Sequence, residues 1–152
     1  KDLTSGITIF AKEETKLLFP ASVTKIMTAL IALEKYKLDD VLTVKTVVNS
    51  GRNMNLSVGE QLTAESLLYG TLIHSANDAA FVLAENYPGG VAEFVKDMNL
   101  KAWSLGLKDT NFTNPVGFDD PRHYTTARDL VILSEYSLRN KIIDKIAQRI
   151  YI

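Results

Sequence analysis

Ser22 and Lys25 stand three positions apart in the run Ser22-Val23-Thr24-Lys25, a spacing that puts a hydroxyl and an amine on one face of a first helical turn. A lysine partly withdrawn from water there loses its preference for the charged form and can take the serine proton. That makes Ser22 the candidate nucleophile and Lys25 its general base. Backbone N–H groups at a helix start would meet the negative charge that develops during attack. The plain alternative is a capping serine followed by a surface lysine. Ser75-Ala76-Asn77 adds a second hydroxyl and a side-chain amide. Set beside Lys25, Ser75 can relay a proton toward a leaving group, and Asn77 can orient Lys25 or hold a substrate amide. As structural residues, both would instead cap the helix that follows.

Each group has to be delivered by an element. Pro20 precedes a predicted helix from about Ser22 to Tyr36, in which Ile26 to Leu33 place apolar groups on nearly every face. Such a helix is central and buried, and meets polar chemistry only at its N-terminal end. Thr63 fits the N-cap of a second helix running through Leu67, Leu68 and Leu72. A break at His74 to Asn77 precedes a helix over Asp78 to Glu85, ended by Tyr87-Pro88-Gly89-Gly90. Ser75 and Asn77 therefore fall at a helix boundary, as Ser22 does.

Val91 to Leu105 is amphipathic, with Phe94, Val95, Met98, Ala102 and Leu105 spaced by three and four and Gly106 as its C-cap. Asn114-Pro115-Val116-Gly117 breaks the chain. Thr126-Ala127-Arg128-Asp129 reads as a capping box, with Asp in place of Glu or Gln, opening a helix through Leu130, Leu133 and Tyr136. Ile142 to Ile152 is apolar with no visible ending. Ile7 to Phe10, after the Ser5-Gly6 turn, is a predicted strand, and Asp39 to Glu60 reads as loops with little regular structure.

Composition narrows the class. The chain has 152 residues, 46% of them hydrophobic and 23% charged, which suits a single folded domain. With 17 basic against 18 acidic residues and a net charge of -1, no broad positive field points to nucleic acid. No apolar run is long enough to span a bilayer. Without cysteine there is neither a disulfide, a thiol nucleophile nor a thiolate zinc site. His74 and His123 are far apart and lack a Glu-x-x-His partner, which argues against a metal site; His74 lines a cleft or packs, and Trp103 and the tyrosines read as core and rim packing. Asn55-Leu56-Ser57 and Asn111-Phe112-Thr113 match the glycosylation pattern.

Phe19-Pro20-Ala21-Ser22-Val23-Thr24-Lys25-Ile26-Met27-Thr28-Ala29 resembles the nucleophile segment of serine D-alanyl-D-alanine carboxypeptidases, the low-molecular-mass penicillin-binding proteins. Val58-Gly59-Glu60, His74-Ser75-Ala76-Asn77-Asp78-Ala79-Ala80, Leu105-Gly106-Leu107, Thr113 to Phe118 and Tyr124 to Leu130 resemble further segments of that family in the family's order, covering nearly the whole chain. The resemblance implies an α+β fold of the serine β-lactamase and DD-peptidase type, an antiparallel sheet flanked by helices with a mainly helical subdomain beside it. It implies cleavage of the terminal D-Ala-D-Ala bond of peptidoglycan stem peptides on the outer face of the cytoplasmic membrane or beyond it. Ser22 would form the acyl-enzyme, with Lys25 as general base, Ser75 as proton relay and Asn77 positioning substrate. A β-lactam would acylate Ser22 and stay. No metal or organic cofactor is implied.

The family's third motif, Lys-Thr-Gly or Lys-Ser-Gly on a cleft strand, has no match here, and no glycine follows Gly117. Residues 1–152 are therefore expected to be the front part of a catalytic domain, mostly helical, with later strands elsewhere, and impaired when alone. Unpaired strand edges predict self-association or pairing with the missing C-terminal portion. Two other readings share the motifs. A β-lactamase uses Ser-x-x-Lys, but with Ser-Asp-Asn where this chain has Ser75-Ala76-Asn77, and its Glu-x-x-Leu-Asn signature is absent. A non-catalytic remnant would keep both motifs for packing or binding.

Overall fold

The computed structural model describes residues 1–149. Six helices enclose the core: α1 (Thr24–Lys35), α2 (Ala64–Ile73), α3 (Asn77–Glu85), α4 (Gly90–Ser104), α5 (Ala127–Ser137) and α6 (Lys141–Ala147). α1 is the central helix and packs against α2, α3, α4 and α5. Its apolar run explains why. Met27, Ala29, Leu30, Ile31 and Ala32 are all buried, meeting Leu67, Leu68, Leu83, Phe94 and Leu133 in one core. The helix starts at Thr24, two residues later than expected, because the chain first makes a 3₁₀ turn over Ala21–Val23.

The stretch expected to be irregular contributes a strand. β1 (Val41–Thr43) pairs antiparallel with β2 (Gln61–Thr63), in the register Val41↔Thr63, Leu42↔Leu62 and Thr43↔Gln61. Three residues are too short for a period-of-two pattern to declare itself. Thr63 caps α2 as predicted, its hydroxyl accepting from the Ser66 N–H at 3.2 Å.

Only half of the predicted capping box forms. Thr126 Oγ1 accepts from the Asp129 N–H at 3.2 Å, but the Asp129 carboxylate turns to the Asp109 N–H at 2.8 Å and the Thr110 hydroxyl at 2.7 Å. It serves a tertiary contact instead of its own helix end. α6 is shorter than the apolar run from Ile142, opening where Asn140 Oδ1 accepts from the Ile142 N–H at 2.9 Å. The end of that run lies outside the described residues.

The N-terminal segment departs most from expectation. Ile7 to Phe10 forms no strand; its regular pairing is limited to a local turn, in which the Asp2 N–H donates to the Ile7 carbonyl at 2.8 Å. A β-prone run becomes a strand only with a neighbour to pair with. Downstream, Leu18 makes an isolated antiparallel bridge to Thr125. Trp103, expected to pack in the core or at its rim, is 82% exposed on α4.

Candidate active site

The first turn of α1 carries polar groups into the protein instead of out of it. Thr24, Lys25 and Thr28 are all buried, Lys25 at 2% exposure. Lys25 Nζ donates to the Val116 carbonyl at 2.8 Å and lies 3.5 Å from Ser22 Oγ, the outer limit of a hydrogen bond. Burial alone lowers the lysine pKa from 10.5 to about 8, because desolvation penalises the ammonium and no carboxylate compensates it. About a tenth of Lys25 is then neutral at pH 7 and able to accept a proton.

Ser22, Lys25 and Ser75 line one pocket of about 280 Å³, together with Val23, Ile26, Thr71 and Leu72. The two serines predicted from separate motifs thus meet beside the lysine. Ser22 is exposed at its rim. The plain readings fail for both serines: Ser22 makes no capping hydrogen bond to α1, and the N-cap of α3 is Ala76. Two of the four non-glycine residues with positive φ among the described residues sit here, Ala21 at 49° and Ser75 at 55°. A left-handed alanine costs about 1–2 kcal/mol, so local strain accompanies the placing of both hydroxyls.

Asn77 is placed differently from expectation. It does not line the pocket; its side-chain amide donates to the Ser50 carbonyl at 2.7 Å, and its backbone N–H to the Arg52 carbonyl at 2.7 Å. Asn77 thereby fixes the loop around Gly51, where a Cβ would come within 2.5 Å of its amide nitrogen. His74 lines another cleft, with Tyr69 and Arg149, and is absent from the lining of the serine pocket.

Asn114-Pro115-Val116-Gly117, a chain break within a segment that resembles the family, forms the floor beneath Lys25. Asn114 Oδ1 accepts from the N–H groups of Val116, Gly117 and Phe118 at 3.2, 2.7 and 2.9 Å, which turns the Val116 carbonyl toward the lysine. Thr28 Oγ1 donates to the Pro115 carbonyl at 2.6 Å. Gly117, at φ +91°, leaves no room for a side chain: a Cβ would sit 1.9 Å from the Ala21 carbonyl oxygen. The signal was available in the Asn-Pro-x-Gly pattern, but only as a tight turn. Thr71 Oγ1, buried against the pocket, is the one buried side-chain polar atom without a hydrogen-bond partner among the described residues.

The sequence profile of the D-alanyl-D-alanine carboxypeptidases matches residues 1–149. The chain belongs to the D-alanyl-D-alanine carboxypeptidase family. It is 38% identical over 148 residues to the D-alanyl-D-alanine carboxypeptidase DacF of Bacillus subtilis, covering 93% of this chain and 38% of that protein. It is 38% identical over 136 residues to the D-alanyl-D-alanine endopeptidase of Pseudomonas aeruginosa, covering 87% of this chain and 44% of the relative. The Streptomyces K15 DD-transpeptidase superposes with a TM-score of 0.88 at 30% identity, over 96% of this chain and 61% of that structure. The chain therefore has the DD-peptidase fold in part and spans 38–61% of the length of these relatives. The proteins it is similar to are thus named for carboxypeptidase, endopeptidase and transpeptidase reactions.

Proposed function

We propose that Ser22 is the acylated nucleophile of a D-Ala-D-Ala carboxypeptidase and Lys25 its general base. The observation that carries this reading is the buried Lys25 amine, its pKa lowered to about 8, 3.5 Å from an exposed serine hydroxyl in the pocket shared with Ser75. In the reaction, Ser22 Oγ attacks the penultimate D-Ala carbonyl as its proton passes to neutral Lys25. The C–N bond then breaks, and the departing D-Ala amine takes a proton through Ser75. Water hydrolyses the resulting ester, returning Ser22. Asn77 positions substrate through the Ser50–Arg52 loop that it holds.

The proposed substrate is a peptidoglycan stem peptide ending in D-Ala-D-Ala, met outside the cytoplasmic membrane; no described helix is long and apolar enough to cross one. β-Lactams are the matching covalent inhibitors. The domain assignment follows as residues 1–152 of a DD-peptidase catalytic unit. Without a Lys-Thr-Gly strand to hold the substrate carboxylate and supply an oxyanion donor, whose loss costs about 3 kcal/mol, the chain by itself is expected to acylate slowly.

The test is prolonged incubation with a fluorescent penicillin followed by peptide mapping. A covalent adduct on Ser22, absent in Ser22→Ala and Lys25→Ala, is the expected result. No adduct on any serine would remove the acylation role, and rapid turnover of the penicillin would make the chain a β-lactamase.

A further inference from the structure

His123 is buried to 1% exposure beneath the start of α1, with the Thr24 hydroxyl, which can give or take a hydrogen bond, against Nε2 and the Thr113 hydroxyl, equally versatile, 3.2 Å from Nδ1. Nδ1 receives the Thr113 backbone N–H at 3.0 Å. A backbone N–H can only donate, so Nδ1 carries no proton. Asn114 Nδ2, 3.4 Å away, is also a donor, because Asn114 Oδ1 is committed to three backbone N–H groups. The neutral ring then bears its hydrogen on Nε2, which donates to Thr24 Oγ1 at 2.8 Å. Phe112 packs edge-on against the ring with centroids 5.7 Å apart.

We propose that His123 is a positioning residue for Lys25: as the Nε2–H tautomer it ties Thr24, the first residue of α1, to the Thr113–Phe118 loop and so holds the Val116 carbonyl against Lys25 Nζ. The proposal rests on the reading of Ser22 and Lys25 as the reactive pair. Three ties join helix and loop on one side of α1: His123 to Thr24, Val116 to Lys25 and Pro115 to Thr28. His123 is the only one of the three to bridge from a third segment, and it grips the loop at Thr113, where the Asn114 turn begins. Losing it frees the turn's entry and lets water reach the lysine. Asp119 and Asp120 are the charged groups that favour its protonation, and burial outweighs them; a proton on Nδ1 would face the Thr113 N–H donor to donor.

The experiment uses His123→Ala, His123→Gln, His123→Asn and Thr24→Val in the full chain, reading the penicillin acylation rate and the Lys25 titration by side-chain NMR. Gln can reproduce the Nε2 donor and Asn only the Nδ1 acceptor. The expected result is a Lys25 midpoint that rises from about 8 toward 10.5 in His123→Ala, His123→Asn and Thr24→Val, with acylation at neutral pH at least tenfold slower, and substantial recovery of both in His123→Gln. The Nε2–H tautomer should be visible in imidazole ¹⁵N shifts of the unmodified chain. An Nδ1–H tautomer, an unmoved Lys25 titration in folded Thr24→Val, or rescue by Asn equal to that by Gln overturns the proposal. If the unmodified chain is never acylated, the functional reading fails, and the tautomer and the Lys25 titration still decide the role of His123.

Discussion

The first turns of α1 and the stretch that follows bury chemically opposite groups. From Met27 onward the helix buries Met27, Ala29, Leu30, Ile31 and Ala32, whereas its first turns bury Thr24, Lys25 and Thr28. The apolar half needs only close packing. The polar half needs an acceptor or donor for every group, and the Thr113–Phe118 loop with His123 supplies them. Apolar burial stabilises the fold by about 25 cal/mol per Å². Burial of Lys25 works against it: a pKa moved from 10.5 to about 8 corresponds to about 3 kcal/mol against the ammonium. One helix thus pairs a stabilising half with a reactive half that costs stability, and substitutions should separate the two.

The largest effect is expected at Gly117, where the loop meets the nucleophile turn. Gly117→Ala adds a Cβ 1.9 Å from the Ala21 carbonyl oxygen at a φ of +91°. Left-handed strain of about 1–2 kcal/mol and overpacking of about 1–3 kcal/mol together give a loss of about 2–5 kcal/mol in urea unfolding. Penicillin labelling should fall as well, because the turn holding Ser22 must move. Met27→Ala breaks the apolar half instead. At 0% exposure, this deletion should cost about 3 kcal/mol while the labelling rate of the folded chain stays within about twofold. Equal losses of labelling in the two variants would show that the halves are not separable.

The same division governed what could be read from the sequence. Helix α1 and its burial were legible because an apolar run longer than one face allows admits few other structures. Thr63 declared its cap because capping is local. Ser22, Lys25 and Ser75 were legible as motifs, and their meeting in one pocket is a tertiary fact that the resemblance supplied. Asn114 has local partners and declared a turn, but not the lysine above that turn. His123 was not legible, since its partner Thr24 lies across the chain and it sits in no periodic pattern. Asp129 was misread for the same reason: a local box competed with Asp109 and Thr110, and the tertiary contact won. Ile7 to Phe10 shows the converse. Its β-propensity is plain, but Ile9 and Phe10 remain 77% and 78% exposed, because propensity without a paired neighbour does not make a strand.

Lys25→Met isolates the cost of the polar half. It should abolish labelling and raise stability at neutral pH by about 1–2 kcal/mol, the relieved desolvation less the hydrogen bond lost at the Val116 carbonyl. The pH dependence has a definite sign. Folded Lys25 has the lower pKa, so between about 8 and 10.5 the unfolded chain binds more protons and stability rises with pH. Below that window the full cost is present. Urea midpoints at pH 7.5, 9 and 10 should therefore converge between the unmodified chain and Lys25→Met as pH rises; a gap that stays constant or widens would mean that Lys25 is not a desolvated amine.

The smallest effects compare two hydroxyls that the sequence alone places alike, each before a helix. Thr63 accepts the Ser66 N–H at 3.2 Å, and Ser22 makes no capping bond to α1. Thr63→Ala should cost about 1 kcal/mol and leave labelling intact. Ser22→Ala, removing an exposed hydroxyl that caps nothing, should change stability by less than about 0.5 kcal/mol and end labelling altogether. A Ser22→Ala loss as large as that of Thr63→Ala would return Ser22 to the role of a helix cap. The expected pair of outcomes instead leaves Ser22 with no structural task to explain its place on a strained turn beside a buried amine.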